Sequence, residues 1–320
     1  MPAGEKFVQM IFAIFAFVAV MGIVLFLADR VRSRRGDSIQ TFVFVAPAVF
    51  MICLGLVYPA VKTVYQSFKD DSGFSFVGLD NYKTIFTSSD QLTVLRNTAI
   101  WVIVTPIAAT LIGLVYAVLI DRARVEKFAK ALIFLPMAIS LVGASIIWKF
   151  VYDYRASENP QIGLLNEILK LVGLDTYRFL LTEPWNTLFL IVIMIWVQAG
   201  FAMTVLSASI KAIPDDIVEA ARLDGVSGFR MFRFITVPSI RPALIVVLTT
   251  ISITTLKVFD IVRTTTGGNF NTSVLANEFY TQSFRAFNTG LGAALASLLF
   301  VLIIPIVVYN VRQMRQLESR

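Results

Sequence analysis

Polar side chains set inside apolar runs are the first candidates for chemistry in this 320-residue chain. Thr250, Thr254 and Lys257 recur at i, i+4 and i+7, which puts them on one helical face. Asp260 follows Lys257 by three residues, near enough along a helix to pair with it. Gln198 and Phe201 are also three apart, with Trp196 nearby. An amide beside an aromatic ring suits a sugar, since the amide donates to and accepts from hydroxyls while the flat ring covers C–H faces. Each set also has a plainer reading. A helical threonine can bond back to a carbonyl one turn earlier, a lysine can snorkel to the interface, and Phe201 can be core. Polar groups in lipid are expensive, roughly 2.5–3.5 kcal/mol for a central lysine on insertion scales, so a partner or a wet cavity is expected around them.

Other chemistries are excluded. The chain has no histidine, which removes Ser-His-Asp triads and histidine zinc sites. Its single cysteine, Cys53, allows neither an internal disulfide nor a cysteine metal cluster. No G-x-x-x-x-G-K-[ST] loop is present, so the chain cannot cradle a nucleotide phosphate by that device.

The elements that must position these residues are membrane helices. Apolar residues make up 57% of the chain and charged ones 15%, against about 25% charged in soluble domains; mean hydropathy is +0.76. The expected class is an all-α integral membrane protein. Uncharged runs long enough to span are Phe7–Leu27, Thr41–Val61, Asn97–Ile120, Ala131–Trp148, Pro184–Ile210 and Ala286–Val311, with a shorter seventh at Pro242–Leu256. Seven spans are therefore expected, one anchor helix ahead of a six-helix core. The segments 28–40, 121–130, 211–241 and 310–320 carry 16 basic residues over 65 positions, and the alternate set carries 10 over 100. The denser set is expected in the cytoplasm, the N-terminus outside and the C-terminus inside. This asymmetry accounts for the net charge of +7 without nucleic acid. Trp101, Trp148 and Trp185 fall near expected outer ends, where an aromatic belt would lie. The first run is not read as a cleaved signal peptide, because Arg30, Arg32, Arg34 and Arg35 follow it. Residues 1–40 are thus an anchor helix with a basic linker, and 41–320 one transmembrane domain. In the outer loop 153–186, Ile162, Leu164, Leu165, Ile168, Leu169 and Leu171 are spaced for an amphipathic helix.

The inner loop 211–241 is patterned. Pro214 suits a first helical turn, Asp215 and Asp216 suit the positive end of a helix dipole, and Ile217, Ala220 and Ala221 form an apolar stripe. Gly225 is placed to stop this helix. Ser227 can cap a second one through Arg230–Ile235, with Pro238 ending it. The small Ala220–Ala221 face would let a partner approach closely.

Glu219-Ala220-Ala221, Gly225 after three residues, Ile235 nine later and then Pro238 resemble the EAA loop of ABC importer permeases, with Val237 where that family usually has Leu. Lys211-Ala212-Ile213-Pro214 and Asp224-Gly225 are similar to the family too. Phe76-Val77-Gly78-Leu79-Asp80-Asn81-Tyr82, the stretch Leu135-Pro136 to Trp148, and Phe259-Asp260 before Gly267-Gly268 resemble sugar permeases of the maltose and glycerol-phosphate type. The likeness covers about residues 40–310; the first helix lies outside it, and the large outer domain of maltose-type permeases is missing. The resemblance implies a subunit that pairs with a second permease chain, binds two ATPase subunits holding ATP and Mg, and receives substrate from an extracytoplasmic binding protein. By it, Glu219 pairs with a cation in an ATPase cleft, and closure of the ATPase rocks the helix pair. It also places Gln198, Phe201, Thr254 and Lys257 at sugar-contacting positions, with Met137 where the maltose permease carries an aromatic.

The leading expectation is an ATP-driven permease for an α-glucoside or disaccharide in a bacterial or archaeal inner membrane. Alternatives are a permease for another small solute such as glycerol phosphate, or a self-sufficient secondary carrier, for which Asp260 is the only acidic residue near a span. A membrane enzyme would need clustered carboxylates or histidines, which the spans lack.

Overall fold

A segment in lipid must close its backbone hydrogen bonds within itself, and apolar runs of this length do so as helices. In a computed structural model of the chain, residues 3–30, 36–120, 125–156 and 159–318 are described. Among these residues no strand forms; the sole β-type pairing is an isolated bridge between Lys69 and Phe76.

The chain divides into two compact units, Met1–Tyr65 and Gln66–Arg320. The first holds α1 (Ala3–Arg30), then α2 (Gly36–Ile52), which passes through a π turn (Cys53–Val57) into α3 (Tyr58–Gln66). Of the expected basic linker, 31–35 lies outside the described residues, and 36–40 is already the first part of α2. The π turn sits just before Pro59. Proline cannot donate and crowds the carbonyl four residues back, and opening the turn by one residue lets Tyr58 N–H reach Cys53 O instead.

The second unit begins with α4 (Asp80–Thr87) and α5 (Ser89–Ile120). Next come α6 (Glu126–Phe134), a 3-10 turn (Leu135–Ala138) and α7 (Leu141–Val151). The surface helix α8 (Leu164–Leu171) and the long α9 (Asn186–Lys211) follow. The patterned loop supplies α10 (Asp215–Leu223), α11 (Gly228–Met231), a π turn (Phe232–Thr236) and α12 (Val237–Ser239). Finally α13 (Arg241–Leu256), α14 (Asp260–Thr265), α15 (Leu275–Phe284) and α16 (Thr289–Glu318) close the chain.

Among the described residues four helices are long and apolar enough to cross a bilayer, Phe44–Gln66, Ser89–Ile120, Asn186–Lys211 and Thr289–Gln313; two bent pairs raise the number to six. The expected first span is a continuous 28-residue helix, α1. Two expected spans belong to bent pairs. Ala131–Trp148 is split into α6 and α7, bent by 103°. Ile139 and Ser140 are extended there, and Ser140 Oγ accepts the Gly143 amide at 3.1 Å, capping α7 as a new helix. Pro242–Leu256 lies in α13, which reaches only about 24 Å and meets Gly228–Ser239 at 69°.

The core of this unit is the crossing of α5 with α9. A Cβ at Gly113 would lie 2.4 Å from Ala202 Cβ and 2.7 Å from Met203 N. Small residues at that crossing let the two backbones come into contact, the usual route to helix association where lipid offers no hydrophobic drive. Around it, Ala109, Leu114, Leu206, Val247 and Ile251 form one buried cluster. A second gathers Trp101, Tyr152, Leu190, Met194 and Val262. Trp101 is fully buried, so it does not stand in a lipid-facing belt; Trp148 is half-buried against this same cluster and Trp185 is exposed. The interior wins because an indole buries more apolar area against side chains than at the headgroups.

Candidate functional site

The loop 211–241 folds as two helices joined at a glycine. Asp215 and Asp216 occupy the first turn of α10 and Arg222 its last. Pro214 precedes the helix as its N-cap residue and is not part of the first turn. At the far end Val226 N–H bonds Ala221 O at 2.9 Å and Gly225 N–H bonds Arg222 O at 3.0 Å. This 6→1 and 5→2 pair needs a left-handed residue between, and Gly225 has φ +76°. Sequence spacing placed this stop correctly. The second helix differs from expectation. Ser227 makes no side-chain cap bond, and the helical run continues through Pro238 to Ser239. Proline is tolerated because residues 232–236 widen into a π turn, with Val237 N–H on Phe232 O.

The apolar stripe is divided by this fold. Ala221 is buried, so only Ala220 offers a small outward face. Glu219, Asp224 and Gly225 are exposed, Pro238 is exposed and Ile235 half-buried. Glu219 makes no ion pair or hydrogen bond within the described chain. One turn along the same helix Leu223 is 89% exposed, and on the following segment Phe229 is 71% and Phe234 64% exposed. Large apolar side chains left uncovered on a helix pair mark a surface that a membrane or another chain covers.

The candidate solute residues lie on neighbouring elements. A Cβ at Gly200 would be 2.5 Å from Ile133 O and 3.1 Å from Phe134 Cα, so α9 presses directly on the segment that leads into Met137. On its other side α9 packs with α13. The structure therefore brings together the elements bearing Met137, Gln198 with Phe201, and Thr250 with Thr254. Gln198 is half-buried, and its amide makes no hydrogen bond among the described residues. Phe201 is half-buried against the α5–α9 cluster. Thr254 Oγ1 donates to Thr250 O at 2.9 Å, the back-bonded state. Trp196 does not join Gln198; it lies edge-on to Trp148 at 5.8 Å. Lys257 and Asp260 form no ion pair. α13 ends at Leu256, Lys257 is an exposed C-cap, and Asp260 opens the new helix α14, so the i, i+3 relation has no helix to act through.

Two family-like segments prove to be structural latches. Asn81 Nδ2 donates to Ser67 O at 2.9 Å and Lys69 O at 2.7 Å, and Tyr82 OH bonds Ser67 Oγ at 2.8 Å. They hold a loop whose tip is organised by Asp70, which accepts from the Phe74 amide at 2.9 Å and Ser72 Oγ at 2.9 Å. Desolvation raises the Asp70 carboxyl, but the bonds from Ser72 and the amides of Phe74, Ser75 and Gly73 outweigh it and hold the group below its ordinary value. Around Gly267-Gly268 the tethers come from distant helices. Asn97 Nδ2 donates to Asn271 O at 2.6 Å, and Asn186 Nδ2 to Phe270 O at 2.7 Å. Sequence reading missed these asparagines, as it missed Arg263 stacked over the Tyr280 ring at 4.8 Å. A lone amide in an apolar run shows no periodic signal.

Comparison with known proteins agrees with this geometry. The osmoprotective compounds uptake permease GgtC of Synechocystis is 46% identical over 277 residues, 86% of this chain and 99% of that one. The alpha-glucoside transport system permease AglF of Rhizobium meliloti is 44% identical over 280 residues, 87% of this chain and 83% of that one. A bacterial transporter solved as an importer of the acidic polysaccharide alginate has the same fold, with TM-score 0.75 at 22% identity, covering 88% of this chain and 97% of that chain. These relatives are permease subunits, transporters and not enzymes. Residues 93–315 match the family described as "Binding-protein-dependent transport system inner membrane component", and the chain, with its uncovered helix pair and its bent membrane helices, belongs to that family.

Proposed function

We propose that this chain is one of two permease subunits of an ATP-driven carbohydrate importer, that its solute is an α-glucoside or disaccharide, and that 211–241 couples it to a separate ATPase. The observation that carries the reading is the hairpin, where Glu219, unpaired among the described residues, and uncovered Leu223 lie on a helix whose end is fixed by Gly225, and Phe229 and Phe234 are uncovered on the segment that follows. The name of the relative AglF, an alpha-glucoside permease, supports the solute class. On this reading Glu219, Ala220, Asp224 and Gly225 lie at the ATPase surface, while Ala221, Ile235 and Pro238 keep the hairpin's shape. Two ATPase copies hold ATP and Mg. Gln198, Phe201, Thr250, Thr254, Lys257 and Met137 face a path that the second permease completes, and a binding protein delivers the sugar from the outer side. The N-terminus is outside, the C-terminus cytoplasmic, residues 1–40 an anchor and 41–320 the permease domain.

The test is uptake by the assembled complex in vesicles. Uptake is expected to require ATP, and Glu219→Lys is expected to leave the chain in the membrane while the ATPase no longer co-purifies. Uptake driven by an ion gradient with this chain alone would refute the reading, and wild-type ATPase recovery with Glu219→Lys would remove the docking role.

A further inference from the structure

The inner end of α9, where the coupling loop begins at Lys211, carries a charge cluster. Lys211 is the last residue of α9, three positions before Pro214, the N-cap of α10. Its Nζ lies 2.5 Å from Glu126 Oε1. Glu126 is the first residue of α6, and the same Oε1 is 2.7 Å from Lys130 Nζ, one turn along that helix. Lys130 Nζ also donates to Ser207 Oγ at 2.5 Å. Ser207 is buried and sits one turn before Lys211 on α9. Successive turns of α6 and α9 are thus joined by Glu126 with Lys211 and by Lys130 with Ser207. Higher up the same pair of helices meets without side-chain clearance, at Gly200 against Ile133 O.

The connection has a direction. At one end is the residue that leads into α10. At the other, α6 runs without interruption into the 3-10 turn that carries Met137. The charged side chains are 24–50% exposed, so an ion pair of this kind adds little to global stability. Its effect lies elsewhere. One carboxylate bridging two cations from separate helices fixes their register.

Resting on the coupling reading above, we propose that Glu126 is a positioning residue that makes the end of α9 and the α6–Met137 segment move as one body, so that displacement of the coupling hairpin reaches the solute path. Motion passed through a rigid contact needs an element with two discrete arrangements, and the 103° break at Ile139–Ser140 supplies a point about which such a body can turn.

The test uses the full transport complex in vesicles, with solute uptake and ATP hydrolysis read together. Glu126→Lys is expected to lower solute moved per ATP by about tenfold while hydrolysis changes by less than about twofold, and Glu126→Lys with Lys211→Glu is expected to restore coupling by re-forming the pair with reversed sign. A second arm replaces Cys53 with serine and sets Glu126→Cys with Lys211→Cys. Coupling is expected to be low in the free thiols, to recover when a short bis-methanethiosulfonate linker ties them, and to fall again on reduction. Unchanged solute per ATP in Glu126→Lys, or loss of the remaining uptake on linking, overturns the proposal. Where Glu126→Lys does not assemble, the linker arm decides. Wild-type vesicles that take up solute without ATP refute the coupling reading itself and are told apart by that control.

Discussion

Gly225 allows a graded perturbation of the coupling hairpin with little else changed. It sits at φ +76°, and a Cβ built there meets nothing within 4 Å. Any cost of Gly225→Ala is therefore backbone strain and not collision. A left-handed residue with a Cβ costs about 1–2 kcal/mol, which corresponds to roughly a 5–30-fold loss in the population of the closed turn. Asparagine tolerates this region better and should recover most of that loss. Proline cannot reach a positive φ and also removes the amide that bonds Arg222 O at 3.0 Å, so it should cost about 3 kcal/mol or more. The expected order is Gly, Asn, Ala, Pro, in both amide-exchange protection of residues 221–226 and ATP-coupled uptake by the complex. Membrane insertion should be the same for all four. If alanine and asparagine are indistinguishable from glycine, or if proline keeps full coupling, the left-handed turn does not set the hairpin's geometry and the argument fails.

Three further outcomes are expected. Gln198→Ala should lower uptake without lowering ATPase co-purification, because its amide makes no hydrogen bond among the described residues; unchanged uptake kinetics would remove it from the path. Gly200→Ala should lower the Tm of the purified chain, since its Cβ would enter to 2.5 Å of the Ile133 carbonyl and overpacking costs about 1–3 kcal/mol; an unchanged Tm would mean that α6 and α9 separate freely. Asp70 should make the 70–76 loop acid-resistant. Its folded carboxyl lies below the ordinary 3.8, so the stabilisation is fully present above that value and is lost as pH falls through the lower folded one. Amide exchange at Phe74 and Ser75 reads this, and a loop that opens while pH is still above 3.8 would contradict it.

The spans, the inner loop and its glycine stop could be read along the chain because each is a local property. Apolar run length matches bilayer thickness, and a helix end records its own cap, as Asp215, Arg222 and Gly225 do. The latch residues were legible as a family-like segment, though not as latches. What periodicity could not give was where a run breaks and which groups a second element covers. The break at Ile139–Ser140 follows from how Ser140 caps α7, and it turned one expected span into two helices. Lys257 and Asp260 have the spacing of a helical pair, but the helix ends between them. Trp101 has the sequence context of an interface residue and the environment of a core one. Ala220 and Ala221 are equivalent in sequence, and only burial separates them.

By itself, then, the sequence determined that this chain is a bundle of membrane helices with a capped two-helix loop on one side, because hydrophobic length and capping act within a few residues of their cause. Tertiary structure alone decided which polar groups meet. Gln198 is left unbonded, Asn97 and Asn186 reach across to a distant loop, and Glu126 lies between Lys130 and Lys211, because a side-chain hydrogen bond is set by where backbones cross, and Gly113 and Gly200 fix those crossings from residues far apart in the chain.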